Sequence, residues 1–370
     1  MNETKHNPFA ETPLLRPMMY ELNSMRGVAC LAVLFFHGLW WYIPASATGT
    51  EKWLRVATQG GYRGVNLFFI LSGLLITNIL LKSRFRSDYF ATFYKRRAMR
   101  ILPAYYMILA LLAIYGVSHA FLALSALYIS NMAPLLGVPM SYGPLWSLAV
   151  EEQFYLLWPL FVRRFSTRAL VTIAIGLIIN NVILGLQLHT SSPEATMPIW
   201  YAAHGLAFGA LLAIFLRSRF ASRTNVGLIA ALLAVSGAIA IAAPGMHWPA
   251  TVMTAQGMGW DLVFAATLLF ALLGGSSRYE SLLRPRVLQF FGDISYGLYL
   301  IHVLVFTIYR RIFVPGDSLR AILVEFLICS MIAVGLAALS RFTVEEWFLA
   351  RKEELSPKVS EGVETLCPLS

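Results

Sequence analysis

The chain has 370 residues, of which 58% are hydrophobic and only 13% charged, with a mean hydropathy of +0.66. A soluble domain carries about twice that charged fraction, so the composition excludes an ordinary soluble fold and leaves no stretch for a separate soluble domain. The net charge of +10 lies in short basic clusters between apolar runs, the pattern of cytoplasmic loops rather than of a nucleic-acid-binding surface.

In chain order, residues 1–20 form a polar segment rich in Pro, Glu and Asn. No cleavable signal peptide is evident, and the run starting near Met25 reads as a retained first span. Eleven apolar segments follow, at roughly 25–43, 62–82, 101–117, 120–137, 145–162, 169–188, 199–216, 225–243, 252–273, 290–312 and 319–340. Most are long enough to cross a hydrocarbon core of about 30 Å. The basic clusters lie in residues 5–26, 82–100, 163–168, 217–223 and 278–286, and from Arg341 onward. Basic loops share the cytoplasmic side, yet three segments separate Arg100 from Arg163 where parity requires an even number. The segment 120–137, which contains Ser, Asn and Pro, is the one expected not to cross. The reading is an all-α polytopic membrane protein of about ten transmembrane helices with both termini cytoplasmic. It comprises a cytoplasmic N-terminal segment (1–20), a membrane domain (21–345) and a polar, disordered cytoplasmic tail (346–370). Cys30 and Cys329 fall inside spans and Cys367 in the tail, so no disulfide framework is expected; no metal site is expected either.

Five stretches carry polar chemistry. In the first span Arg26 and His37 are eleven positions apart, which on a regular helix puts them on one face, about 16 Å apart along the axis. An ionisable group so deep is a functional candidate, although a packing histidine is the plain alternative. Phe68-Phe69-Ile70-Leu71-Ser72-Gly73 has the small residues of a close helix contact. Arg97 and Arg100 share a face and suit phosphate, or serve only as topological signals. Trp146-Ser147-Leu148-Ala149-Val150-Glu151-Glu152-Gln153-Phe154-Tyr155 places two carboxylates in an apolar run, which needs a partner or a polar cavity. Ser295-Tyr296-Gly297-Leu298-Tyr299-Leu300-Ile301-His302 sets Tyr299 and His302 on one face. Asp261 and Glu325 also fall inside spans, without an evident partner.

In these stretches the chain resembles the acyltransferase family 3 membrane proteins, bacterial O-acyltransferases of surface and secreted glycans. The resemblance runs from about residue 20 to 345. It rests on Arg26-x10-His37, Phe68 to Gly73, Arg97-x-x-Arg100, Trp146 to Tyr155, and Ser295 to His302, in the family's order. One departure is Asn66, where the family usually has Asp. Another is that the C-terminal hydrolase-like domain of some members is not read here, so transfer is expected to be completed by the membrane domain or by another protein.

The resemblance implies ten spans, a cytoplasmic acyl-CoA donor, most simply acetyl-CoA as co-substrate, and a glycan or other sugar-containing acceptor. It implies a protein of the bacterial inner membrane, with lipid around it, glycan-assembly proteins as partners and no permanently bound cofactor. Arg26, Arg97 and Arg100 are then expected to hold the coenzyme A phosphates, and His37 to act as general base with Glu151 orienting it. Ser72, Trp146, Tyr155, Tyr299 and His302 are expected to position the acceptor or to fix the bundle. Rival readings are a proton-coupled secondary transporter with a His/Glu relay, which would carry inverted repeats, and a non-catalytic partner of a glycan synthase.

Overall fold

A computed structural model of the chain describes residues 14–16, 18–187, 198–242, 249–275, 281, 284–313, 316 and 318–348. Most of the expected N-terminal segment and nearly all of the expected disordered tail lie outside the described residues. Among the described residues every regular element is helical. Helix α1 (Tyr20–Phe35) continues as a π-turn through Phe36–Trp40. Then come α2 (Gly49–Gln59), α3 (Gly64–Ser83), α4 (Tyr89–Tyr115), α5 (His119–Ala126), α6 (Leu145–Arg164) and α7 (Thr167–Gln187). The second half holds α8 (Ile199–Ala202), α9 (His204–Leu216), α10 (Arg223–Ala242), α11 (Pro249–Gly274), α12 (Arg286–Asp293), α13 (Ser295–Ile312) and α14 (Leu319–Ser340). Helix α14 ends in a second π-turn, Arg341–Glu345.

Among the described residues, seven helices are long and apolar enough to cross a membrane: those ending at Trp40, Ser83, Tyr115, Gln187, Ala242, Gly274 and Phe348. The sequence expectation of about ten exceeds this set by α6, α9 and α13. Helix α6 carries Glu151, Glu152, Arg163 and Arg164 within its 20 residues, α9 has only 13 residues, and α13 is bent by 74° from α12. The stretch 120–137 builds no crossing helix. Helix α5 has eight residues, Tyr128 takes a φ of 56°, and two short 3-10 turns precede Gly137.

Helix association in lipid depends on close packing and polar contacts rather than on hydrophobic burial, and both are present. A Cβ at Gly73 would lie 2.0 Å from the Leu206 carbonyl oxygen, and one at Gly209 2.0 Å from that of Ile70. These two glycines let α3 and α9 cross backbone to backbone. Arg310 grips Glu325 with Nε and Nη2 (2.5 and 2.8 Å), joining α13 to α14, and its guanidinium sits 3.4 Å from the Tyr42 ring centroid. Asn66 donates to Asp261 (2.8 Å), whose other oxygen lies 2.9 Å from His204 Nε2, tying α3, α9 and α11 together. Asp261 and Glu325 thus each have an ionic partner that the sequence did not reveal. On α10, Leu228, Leu232, Val235 and Ile239 are all more than half exposed along one stripe, the face that lipid tails cover.

Candidate functional site

The inner wall of the bundle lines a chamber, open at one side, with about 830 Å³ of empty space counting the solvent at its mouth, built from α1, α3, α4, α6 and α13. Arg26, Arg97, Arg100, Ser72 and Glu151 all line it. Packing brings them together: a Cβ at Gly64 would meet the Ala29 carbonyl oxygen at 2.5 Å, so α1 and α3 approach closely enough for Arg26 to reach the Ser72 side. Ser72 Oγ donates to Glu151 Oε1 at 2.6 Å. The Arg97 guanidinium stacks 4.2 Å above the Tyr155 ring, a cation–π contact that leaves its N–H donors free for an anion. Arg26 Nη2 donates to Ser295 Oγ at 3.3 Å. A carboxylate hydrogen-bonded in a cavity that holds three guanidiniums answers the burial problem that the sequence posed for Glu151.

The same arginines form the floor of a wider vestibule of about 1890 Å³ on the side of the basic loops, to which Lys82, Arg86 and Arg96 add charge. Arg86 is held by Asp88 through both carboxylate oxygens at 2.8 Å. That guanidinium and the Thr92 hydroxyl keep the Asp88 carboxyl well below the ordinary carboxylate range.

His37 lies outside the chamber lining, beyond Tyr299. The Tyr299 hydroxyl bonds Ser147 Oγ (2.6 Å), and its ring stands 6.1 Å from Phe68 and 5.9 Å from His302. His37 stands in the π-turn, a distortion frequent at functional sites that turns it away from its regular-helix position. Its ring partner is His302. His302 Nδ1 is 3.0 Å from the Leu298 carbonyl oxygen, and His302 Nε2 is 3.1 Å from His37 Nδ1. His37 Nδ1 is also 3.1 Å from the Val33 carbonyl oxygen. Carbonyls only accept, so with both rings neutral each carries its proton on Nδ1. His302 Nε2 is then the acceptor for His37, and His37 Nε2 is left bare. Trp41 stacks on His37, with centroids 5.5 Å apart.

The structure therefore brings Arg26, Arg97, Arg100, Ser72, Glu151, Tyr155 and Tyr299 to one chamber and His37 and His302 to a neighbouring pair. Glu151 is not the orienting partner expected for His37: it is committed to Ser72 on α3, and a second histidine takes that place. Trp146 stands edge-on to Phe69, outside the lining. Ser147, Ser295 and Tyr296 also line the chamber without having been singled out, although all three lie inside the motifs, and Glu152, the second carboxylate of the apolar run, lines it as well. Asp293, Arg341 and Glu345 of the vestibule gave no sequence signal beyond their charge.

The sequence profile of the acyltransferase domain of acyltransferase family 3 matches residues 19–341. The peptidoglycan O-acetyltransferase OatA of Listeria monocytogenes is 28% identical over 328 residues, covering 79% of this chain and 50% of that protein. The putative peptidoglycan O-acetyltransferase YrhL of Bacillus subtilis is 27% identical, covering 76% and 47%. The O-acetyltransferase OatA of Staphylococcus aureus is 24% identical, covering 84% and 55%. The chain thus spans about half the length of the curated relatives it matches. No solved structure matches it. With α1 to α14 inside the match, the chain belongs to acyltransferase family 3.

Proposed function

We propose that this protein is a multi-pass O-acyltransferase of the bacterial inner membrane that moves an acetyl group from cytoplasmic acetyl-CoA to a hydroxyl of a glycan. The observation that carries this is the succession of two neighbouring sites: Arg26, Arg97 and Arg100 shared by the vestibule and the chamber, and beyond Tyr299 a histidine with a bare Nε2. Arg97 and Arg100 would bind the coenzyme A phosphates, as guanidiniums do, with Arg26 at the inner end of that site. The pantetheine arm would enter the chamber past Ser72 and Glu151, and Tyr299 would have to swing aside for the thioester to reach His37. The acceptor hydroxyl would give its proton to His37 Nε2 while its oxygen bonds to the thioester carbon. The carbon–sulfur bond then breaks, and the proton passes to the departing thiolate. Relatives named for peptidoglycan O-acetylation support a cell-wall type of glycan as acceptor.

In this reading α6, α9 and α13 join the seven apolar helices to make ten spans, with both termini cytoplasmic. Purified protein supplied with acetyl-CoA and a glycan oligomer is expected to form acetyl ester, read by mass spectrometry. His37→Ala should lower the rate by about 100- to 10,000-fold, the usual contribution of a general base, with membrane insertion unchanged. Transfer by His37→Ala at the wild-type rate would remove His37 from the mechanism. Flux of a solute into sealed vesicles without ester formation would favour the transporter instead.

A further inference from the structure

The vestibule has a second feature that the phosphate site leaves unused. Arg341 and Glu345 line it together from one π-turn, four positions apart. Arg341 Nη1 and Glu345 Oε1 are both buried without a hydrogen-bond partner, and Glu345 is only 6% exposed. Buried polar atoms are almost always paired, so an orphan donor and an orphan acceptor on adjacent turns of one wall call for a ligand that carries the complementary pair. The other acid of the vestibule, Asp293, is already engaged by Asn23 at 2.8 Å.

We propose that Arg341 and Glu345 read the edge of the adenine base of the donor nucleotide. The proposal rests on the acyl-CoA reading above. Adenine presents an exocyclic amino donor beside a ring-nitrogen acceptor. The Glu345 carboxylate accepts from the amino group, and the Arg341 guanidinium donates to the ring nitrogen. The π-turn packs against α4, the helix that carries Arg96, Arg97 and Arg100, so base and phosphates fall within one nucleotide's reach. Hypoxanthine, with a carbonyl oxygen in place of the amino group, sets acceptor against acceptor at Glu345.

The test uses the purified full chain and three probes: acetyl-CoA, its hypoxanthine analogue, and acetyl phosphopantetheine, which lacks the nucleoside. The wild type should bind acetyl-CoA roughly tenfold or more tighter than the hypoxanthine analogue, the discrimination expected of a two-bond base contact. Glu345→Gln, whose amide can face either base, should erase that preference, and Arg341→Lys should reduce it. Neither change should alter affinity for acetyl phosphopantetheine. A preference that survives in Glu345→Gln overturns the proposal, as does equal weakening for all three probes, which would mark a structural role. If Arg97→Ala weakens acetyl-CoA binding while purine identity never matters, only the adenine contact fails. If no probe binds the wild type, the acyl-CoA reading and this inference fall together.

Discussion

At His37 the neighbouring backbone and a second imidazole decide which nitrogen carries the proton and which is left to accept one. The Val33 carbonyl and His302 Nε2 both face Nδ1 at 3.1 Å, so Nδ1 is the proton-bearing nitrogen and Nε2 the basic one. His302 is in turn fixed by the Leu298 carbonyl at 3.0 Å and is 1% exposed. His302→Leu removes one of the two acceptors and lets the His37 ring turn, and misplacement on the ångström scale costs on the order of 100-fold. We therefore expect kcat to fall by about 10- to 100-fold with KM for acetyl-CoA unchanged. Nitrogen-15 NMR of labelled histidine should show the His37 Nε2 signal change from a single bare-nitrogen type to a tautomer average. His302→Gln, whose carbonyl oxygen can accept from Nδ1, should restore most of the rate. An unaltered Nε2 signal in His302→Leu would reduce His302 to packing. The candidacy of His37 was legible in the sequence, because an ionisable residue that deep in a span, in register with Arg26, is a functional candidate by default. Its partner was not. Which helix faces which depends on rotation about each axis, which the chemistry of a triad-like carboxylate does not supply, and the π-turn at Phe36–Trp40 shifts His37 off the 3.6-residue register that aligned it with Arg26.

At the scale of elements, glycine spacing governs how the site is assembled. Ser72 reaches Glu151 on α6 from the same turn in which Gly73 meets the Leu206 backbone on α9. Gly73→Ala would set a methyl 2.0 Å from a carbonyl oxygen, and only a shift of α3 or α9 relieves that. Overpacking of this kind costs about 1–3 kcal/mol, so Gly73→Ala should lower the thermal midpoint in detergent and also impair transfer. Gly60→Ala is the matched control. It has nothing within 4 Å of the added carbon and a φ of −70°, and it should leave both readouts unchanged. Equal stability of the two variants would refute the close-contact account. The sequence marked Ser72-Gly73 as a packing pair; Gly73 does meet the α9 backbone, whereas Ser72 turns to Glu151 in the chamber. Nothing in the sequence showed that His204 and Asn66 would both reach Asp261, because the three residues lie far apart in the chain and within apolar runs that look alike.

For the whole molecule, the charge pattern makes the sharpest claim, since one extra crossing would invert every element after it. Parity between Arg100 and Arg163 requires that 120–137 not cross, and the short α5 with its following turns satisfies that geometry. Single-cysteine labelling tests the resulting orientation. Cys30 and Cys329 are buried, so with Cys367→Ser the background should be low. Thr50→Cys on α2 and Ser141→Cys before α6, both at exposed positions, should react with an impermeant maleimide in intact spheroplasts. Ser87→Cys, exposed in the turn before α4, should react only after permeabilisation. Ser141 is the deciding position, because a crossing at 120–137 would move it to the side of Ser87. Labelling of Ser141→Cys only in permeabilised cells would therefore overturn the ten-span arrangement. It would also reverse the run of α6 through the membrane, in conflict with the packing that sets Glu151 in one chamber with the arginines of α1 and α4.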